Sequence, residues 1–167
     1  MRQILAFALV LSLTAGPALG GWSGERIPPM ASPWSGDGAA QSRLVLAEPS
    51  HAGGGPVWAG VEIKVAPGWV TYWRTPGQGG MPPRFEWGGS ENLAMTAVRW
   101  PAPERTVIGG HSINVYTGRV VLPIRLFPAM PDRDVRVRLK LAYAVCMDVC
   151  KPVTAEHELT ILARPVT

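Results

Sequence analysis

The stretch Val135-Arg136-Val137-Arg138-Leu139-Lys140-Leu141-Ala142-Tyr143-Ala144-Val145 decides the fold. Large apolar residues occupy every second position from Val135 to Val145, and arginine or lysine fills three of the positions between them. A period of two is that of a β-strand, because successive side chains of a strand point to opposite faces of the sheet. The stretch therefore predicts a long strand with one buried face and one wetter face.

Shorter runs rich in valine, leucine and aromatic residues recur along the chain, separated by proline and glycine. They cover residues 44–46, 58–65, 69–73, 84–87, 94–100, 120–126 and 157–162. Pro123 interrupts the run at 120–126 and predicts an edge strand or a bulge there. No 12-residue stretch beyond the N-terminal leader has a helical period. Short strands separated by turn residues predict an all-β fold, a single immunoglobulin-like β-sandwich.

The N-terminus has the pattern of an export signal. Arg2 precedes an apolar run at residues 4–13, and a small-x-small pattern ends at Gly20, so residues 1–20 are predicted to be a cleaved signal peptide. The apolar run is shorter than the ~20 residues that cross a bilayer, and no later run approaches that length. Residues 21–42 are rich in Gly, Pro and Ser and predict a flexible lead-in. The β-sandwich domain is then expected at residues 43–164, in the periplasm, with no membrane span after cleavage.

The charge of the chain is mildly basic, at +4 overall. The basic residues are spread along strands, as at Arg136, Arg138 and Lys140, and form no block. No aromatic-basic stacking pattern and no recognition helix is evident, so a nucleic-acid partner is not predicted.

Cys146 and Cys150 are the only two cysteines, and they follow the long strand directly. A thiol pair outside the cytosol is expected to oxidise. A disulfide that closes so short a loop stabilises a fold by only about 2 kcal/mol, against about 4–5 kcal/mol for one that spans a domain. Strands joined by three residues are antiparallel neighbours, and opposed Cα atoms about 4.5 Å apart are within reach of a disulfide. The pair is therefore poorly placed as a staple and well placed as a redox centre.

The chemistry expected of such a pair is thiol–disulfide exchange, in which a thiolate attacks a disulfide and a second thiol resolves the mixed disulfide. We predict Cys150 as the sulfur that partners attack and Cys146 as the resolving one. Lys151 adjoins Cys150 and would favour its anion, whereas Asp148 lies between the cysteines and would oppose it or move a proton.

Several segments, in order, resemble the N-terminal periplasmic domain of the thiol:disulfide interchange protein DsbD, in the version that opens the ScsB-type reductases. The matching segments are residues 66–77, 81–87, 92–94, 100–105, 116–123 and 143–152. The last segment carries the Cys-x-Asp-x-Cys-x-Pro pattern, and the resemblance covers about residues 43–163.

The resemblance implies an immunoglobulin-like domain with a redox-active disulfide on a hairpin and no cofactor. It also implies a thioredoxin-like partner that supplies electrons and oxidised periplasmic proteins that receive them. By position, residues 106–111 would be the family's cap loop, with Val107 or Ile108 over the sulfurs, although the stretch has no aromatic residue. Tyr72 matches a family tyrosine near the active site, with ordinary core packing as the alternative. Because family proteins usually continue into a membrane domain and a thioredoxin-like domain, this chain is expected either to meet a separate membrane reductase or to have another role.

Two other functions are open on the sequence. The first is copper handling, because thiolates select Cu(I) and Met147, His111 or His157 would be a third ligand. The second is a non-catalytic sandwich that binds a partner and has an inert disulfide. No other catalytic or metal motif is present. Whether the module acts as an enzyme by itself is likewise open.

Overall fold

The fold was analysed in a computed structural model that describes residues 28–53 and 55–164. These residues form strands, turns and bends without a helix, so the all-β prediction is confirmed. No helix that could span a membrane occurs among them. The strands are β1 Ser35–Gly36, β2 Ala40–Leu46, β3 Ser50–Ala52, β4 Val57–Val65, β5 Val70–Gly77, β6 Arg84–Glu86, β7 Leu93–Val98, β8 Glu104–Ile108, β9 His111–Thr117, β10 Arg119–Pro128, β11 Val135–Cys146 and β12 Cys150–Arg164.

Two sheets pack face to face as an immunoglobulin-like sandwich. The five-stranded sheet has the order β1-β2-β4-β10-β7. The seven-stranded sheet has the order β3-β12-β11-β5-β9-β8, and β6 pairs with β11. All neighbours are antiparallel except β3 and β12, which run parallel. The sequence runs predicted all or part of β2, β4, β5, β6, β7, β10, β11 and β12, whereas β1, β3, β8 and β9 were not predicted.

The long strand β11 behaves as its sequence period predicts. Its alternate residues from Val135 to Val145 are at most 2% exposed and face the other sheet, whereas Arg136, Arg138 and Lys140 are exposed. The main core combines these buried residues with inward residues of β2, β4 and β10, such as Leu44, Val61 and Ile124. Burial of apolar side chains between the two sheets is the main favourable term in folding.

Pro123 does not mark a sheet edge, because β10 lies between β4 and β7. The Pro123 carbonyl accepts a hydrogen bond from the Arg99 N–H at 2.7 Å, just past the end of β7 at Val98. The nitrogen and carbonyl of one strand residue point to the same neighbouring strand, so the Pro123 ring nitrogen also points toward β7. The absence of an N–H on Pro123 therefore costs no hydrogen bond, because the pairing of β10 with β7 ends at this position. The predicted edge strand was wrong, because β10 has a neighbour on each side. The register shift in the pairing of β10 with β7 lies between Phe127 and Pro128 and not at Pro123.

The described part of the lead-in predicted at residues 21–42 is paired with the sandwich at several points. Ala31 bridges to Val45, β1 pairs with β2, and β2 itself begins at Ala40. Ser32 is buried and accepts a hydrogen bond from the Leu44 N–H at 3.0 Å. Backbone hydrogen bonds and a buried hydroxyl hold this segment in place. Because neither requires a pattern of hydrophobic residues, the sequence did not predict it. The predicted signal peptide, and the lead-in as far as residue 27, lie outside the described residues.

Candidate functional site

The two cysteines lie opposite each other at the end of the longest hairpin. Cys146 is the last residue of β11 and Cys150 the first of β12, and they are paired in register with Cα atoms 4.0 Å apart. A disulfide joins them. The hairpin predicted from the three-residue connection is thus confirmed, and the β11–β12 ladder continues from it as far as Val135 and Ile161.

The two cysteines differ sharply in their exposure to solvent. Cys146 is 1% exposed, because β12 and β5 flank it and Val70 of β5 is its register partner on one side. Cys150 is exposed, and within the described residues its strand partner is Cys146 alone. Of the two cysteines, Cys150 is thus the one that the fold leaves exposed.

Cys146 belongs to a small apolar cluster on the outer face of the seven-stranded sheet, separate from the main core. Strand alternation turns Tyr143 and Val145 inward and Ala144 and Cys146 outward. The outer cluster consists of Val70, Tyr72, Ile113, Val115, Ala144 and Cys146, with Met81 and Ile108 packed against it. The disulfide is therefore embedded in a local apolar patch rather than in the centre of the sandwich.

Tyr72 is the polar group closest to the disulfide in the described structure. Its hydroxyl donates a hydrogen bond to Cys146 Sγ at 2.8 Å and lies 3.7 Å from Cys150 Sγ. Burial raises the pKa of Tyr72, so the hydroxyl remains a protonated donor at neutral pH. Next to it in β5, Thr71 donates to the carbonyl of Ala144 at 2.9 Å, which ties β5 to the cysteine strand.

Gly80 fixes the ring of Tyr72 from above. Its φ is +101°, and a Cβ at this position would lie 2.2–2.5 Å from ring atoms of Tyr72. Only a residue without a side chain permits so close an approach. In the sequence, Gly79-Gly80 has only the pattern of a turn. The sequence does not show that Gly80, eight residues after Tyr72, also packs against the Tyr72 ring.

The segment predicted as a cap loop, residues 106–111, is the tip of the β8–β9 hairpin. The two-residue turn Gly109-Gly110 has φ values of 58° and 81°, as the tightest hairpin turns require. Ile108 is half-buried and packs on the outer cluster, whereas Val107 is 67% exposed. Of the two residues predicted to cover the sulfurs, Ile108 is the one that packs on the outer cluster that contains Cys146.

The charged neighbours of the cysteines are arranged differently from the sequence interpretation. Asp148 is exposed in the connection between the strands. The Lys151 ammonium forms a salt bridge with Asp37 Oδ2 at 2.9 Å and lies 5.6 Å from the centre of the Trp69 ring. Adjacent strand residues point to opposite faces, so Lys151 extends away from the face that carries Cys150. Asp37 was not predicted, because it lies 114 residues away in the lead-in.

The histidines considered as copper ligands are not grouped with the cysteines. His157 is buried between the sheets, and its two ring nitrogens form hydrogen bonds to Ser32 and Ser42 at 3.1 and 3.0 Å. His111 is exposed at the β8–β9 turn. Among the described residues no group of three or more His, Cys, Asp or Glu side chains is arranged to hold a metal.

Comparison with known proteins identifies the family. The family model described as "Thiol:disulfide interchange protein DsbD, N-terminal" matches residues 41–162. The chain belongs to the DsbD N-terminal family. This confirms the resemblance seen in the sequence. Together with the Cys146–Cys150 disulfide, it makes the domain a thiol–disulfide exchange module.

Two crystal structures resemble this DsbD N-terminal domain. The N-terminal periplasmic domain of ScsB from Proteus mirabilis is 27% identical with a TM-score of 0.64, over 80% of this chain and 51% of that one. The chain thus spans about half the length of the ScsB domain. The DsbD N-terminal domain of Neisseria meningitidis in its reduced form is 16% identical with a TM-score of 0.38, over 68% of this chain and 86% of that one. No curated protein matches the sequence.

Proposed function

We propose that this domain acts in the periplasm and passes electrons from a thioredoxin-like reductase to oxidised periplasmic proteins through Cys146 and Cys150. The observation that carries the proposal is the asymmetry of the disulfide, which joins an exposed cysteine to a buried one whose sulfur accepts a hydrogen bond from a hydroxyl. The periplasmic setting is supported by the ScsB relative, whose solved N-terminal domain is periplasmic.

Reduction of the domain begins at the exposed sulfur. A thiolate of the reductase attacks Cys150 Sγ, a bond forms between the two proteins, and the Cys146–Cys150 bond breaks with its electron pair on Cys146. The hydroxyl of Tyr72, 2.8 Å from Cys146 Sγ, donates to the thiolate that develops there. The second thiol of the reductase then attacks the first reductase sulfur in the mixed disulfide, forms the disulfide of the oxidised reductase and releases Cys150 as a thiolate.

Delivery of electrons runs through the same sulfurs in reverse. The Cys150 thiolate attacks the disulfide of an oxidised protein and forms a mixed disulfide. Cys146 then attacks Cys150 Sγ, restores the internal disulfide and releases the reduced protein. The short separation of the two Cα atoms, 4.0 Å, keeps Cys146 within reach of Cys150 for this second step.

The surface around Cys150 suits a partner that docks through apolar contacts. Met147 and Val149, which lie between the cysteines, are both exposed, and Val149 is 71% exposed. The Met147 sulfur lies over Gly68, where a Cβ would be 3.2 Å away. Exposed apolar side chains beside a reactive disulfide suit the centre of a protein docking site.

The roles of the two cysteines are tested with single variants and an activated partner. A thioredoxin that lacks its resolving cysteine is prepared as a mixed disulfide with thionitrobenzoate, whose release is coloured. We expect Cys146→Ser, which keeps Cys150, to displace the dye at least tenfold faster than Cys150→Ser and to form a covalent complex of the two proteins. Equal or reversed rates would contradict the assigned roles. If neither variant reacts, the disulfide is inert and the proposal fails.

A further inference from the structure

The outer face of the five-stranded sheet combines exposed apolar side chains with basic ones. Strand alternation and burial assign to this face, which we call the basic face, the residues Arg43, Val45, Trp58, Glu62, Lys64, Met95, Arg119, Val121, Arg125 and Phe127. Apart from Trp34, which covers one corner beside Arg43 and Lys64, the described residues place no element over it. It lies on the opposite side of the sandwich from the disulfide.

Positive charge is concentrated on the basic face. The described residues include fourteen basic and eleven acidic side chains, a formal excess of three. The strands of the basic face alone carry four basic residues and one acidic residue, Glu62, which is the same excess. The remaining charged residues of the described structure therefore balance one another.

The single carboxylate on the basic face does not oppose an anionic partner. Glu62 is 1% exposed and pairs with both Arg43, at 2.7 Å, and Arg119. A buried carboxylate held by two guanidinium groups presents little negative potential to solvent, whereas Lys64 and Arg119 remain exposed.

The outer face of the seven-stranded sheet shows what a neutralised face looks like. Arg136 and Arg138 both bind Glu158, at 2.6 and 2.9 Å, and Lys140 lies 3.9 Å from Glu86. The three basic residues of β11 thus lie beside exposed carboxylates on their own sheet, whereas the four basic residues of the basic face share only the buried Glu62.

The apolar part of the basic face is large and aromatic. Trp58 is 46% exposed and Met95 is 55% exposed, and Val121 is also exposed. The Arg125 guanidinium lies over the rings of both Trp58 and Phe127, at 5.7 and 5.1 Å from their centres. Amphipathic aromatic rings and cations on long stems are the side chains that lie at the boundary between headgroups and acyl chains.

We propose that the basic face docks the domain on a bilayer surface rich in anionic phospholipid headgroups. Exposed cations meet the negative charge of the leaflet, and Trp58 and its apolar neighbours enter the headgroup region. An anionic bilayer complements both the charge excess and the exposed apolar area. Because the disulfide lies on the far side of the sandwich, a docked domain keeps Cys150 open to partners.

The test measures binding of the exported protein, purified from the periplasm, to vesicles by co-sedimentation. Vesicles contain phosphatidylglycerol and phosphatidylcholine in equal parts, or phosphatidylcholine alone. We expect binding only to the anionic vesicles, and a steep loss of binding as salt is raised. Each basic residue near an anionic leaflet contributes roughly fivefold to partitioning, so the reversal in Lys64→Glu is expected to weaken binding about tenfold or more. Trp58→Ala is expected to weaken it several-fold.

The matched control is Lys140→Glu, which makes the same change in net charge on the neutralised face of the other sheet. It is expected to bind vesicles as the parent protein does, and urea midpoints verify that all variants are folded. Equal loss in Lys140→Glu and Lys64→Glu would show attraction by net charge alone and overturn the proposal. Absence of vesicle binding at low salt would also overturn it, whether or not an acidic protein is then found to bind this face. If Lys64→Glu binds vesicles as well as the parent protein does, another part of the chain, such as an uncleaved apolar leader, holds the membrane, and the proposal is overturned.

Discussion

Replacing Tyr72 with phenylalanine isolates the hydroxyl that touches the disulfide. The substitution keeps the ring, which packs beneath Gly80 and within the outer cluster, and removes only the donor 2.8 Å from Cys146 Sγ. Any change in redox rate then reports on the hydrogen bond rather than on packing.

The expected size of the effect follows from the change in charge on Cys146. A hydrogen bond to a neutral acceptor contributes about 0.5–1.5 kcal/mol net, and one to a charged acceptor about 1.5–3 kcal/mol. The hydroxyl therefore favours a Cys146 thiolate over the disulfide by about 1–1.5 kcal/mol. Since about 1.4 kcal/mol is tenfold in rate and only part of the charge has developed in the transition state, Tyr72→Phe is expected to slow reduction about threefold to tenfold.

The assay is stopped-flow reduction of the oxidised domain by a reduced thioredoxin under pseudo-first-order conditions. Tyr116→Phe is the matched control, because Tyr116 is equally buried and its hydroxyl donates to the Pro101 carbonyl at 2.8 Å instead of to sulfur. Both variants lose one buried hydrogen bond, but only Tyr72→Phe is expected to lose rate. A parental rate in Tyr72→Phe, or an equal loss in Tyr116→Phe, would refute the role assigned to the Tyr72 hydroxyl.

Two further variants test the surroundings of the site and of the core. Gly80→Ala places a Cβ 2.2 Å from the Tyr72 ring at a φ of +101°, so we expect a loss of about 1–3 kcal/mol in urea unfolding and a redox rate at least as slow as that of Tyr72→Phe. Gly79→Ala, with nothing within 4 Å, is its control, and equal behaviour of the two would contradict the packing argument. Burial lowers the pKa of His157 in the folded state, so the unfolded state binds more protons and stability is expected to fall as pH drops below about 6.5. Urea midpoints between pH 8 and pH 5 measure this, and His157→Asn should flatten the profile in that range; an unchanged profile would show that other groups set it.

The sequence was sufficient for the features that depend on local pattern. Alternation along β11 predicted its buried face residue by residue, and the three-residue spacing predicted an antiparallel hairpin with Cys146 opposite Cys150. Both follow from the fixed period and pairing of strands, which need no knowledge of distant residues.

Features that depend on distant residues were not accessible in the same way. Asp37 binds Lys151 across 114 residues, and Gly80 touches Tyr72 only because the chain folds back over β5. Pro123 was misplaced for a similar reason, since its tolerance depends on where the neighbouring β7 ends. The contrast between the two outer faces also requires the sheet order, because the sequence shows how many charges there are but not which of them meet.

The separation of the outer cluster from the main core explains how one fold accommodates both redox states. The disulfide joins residues that the β11–β12 ladder already holds opposite each other along its whole length, from Val135 and Ile161 to the cysteines. Its contribution to stability is only about 2 kcal/mol, because it closes so short a loop. Because Cys146 belongs to the small outer cluster and not to the core between the sheets, we expect opening of the disulfide to disturb the outer cluster alone. We therefore expect reduction to be a local event at the tip of the hairpin, as the proposed exchange of electrons with partners would require.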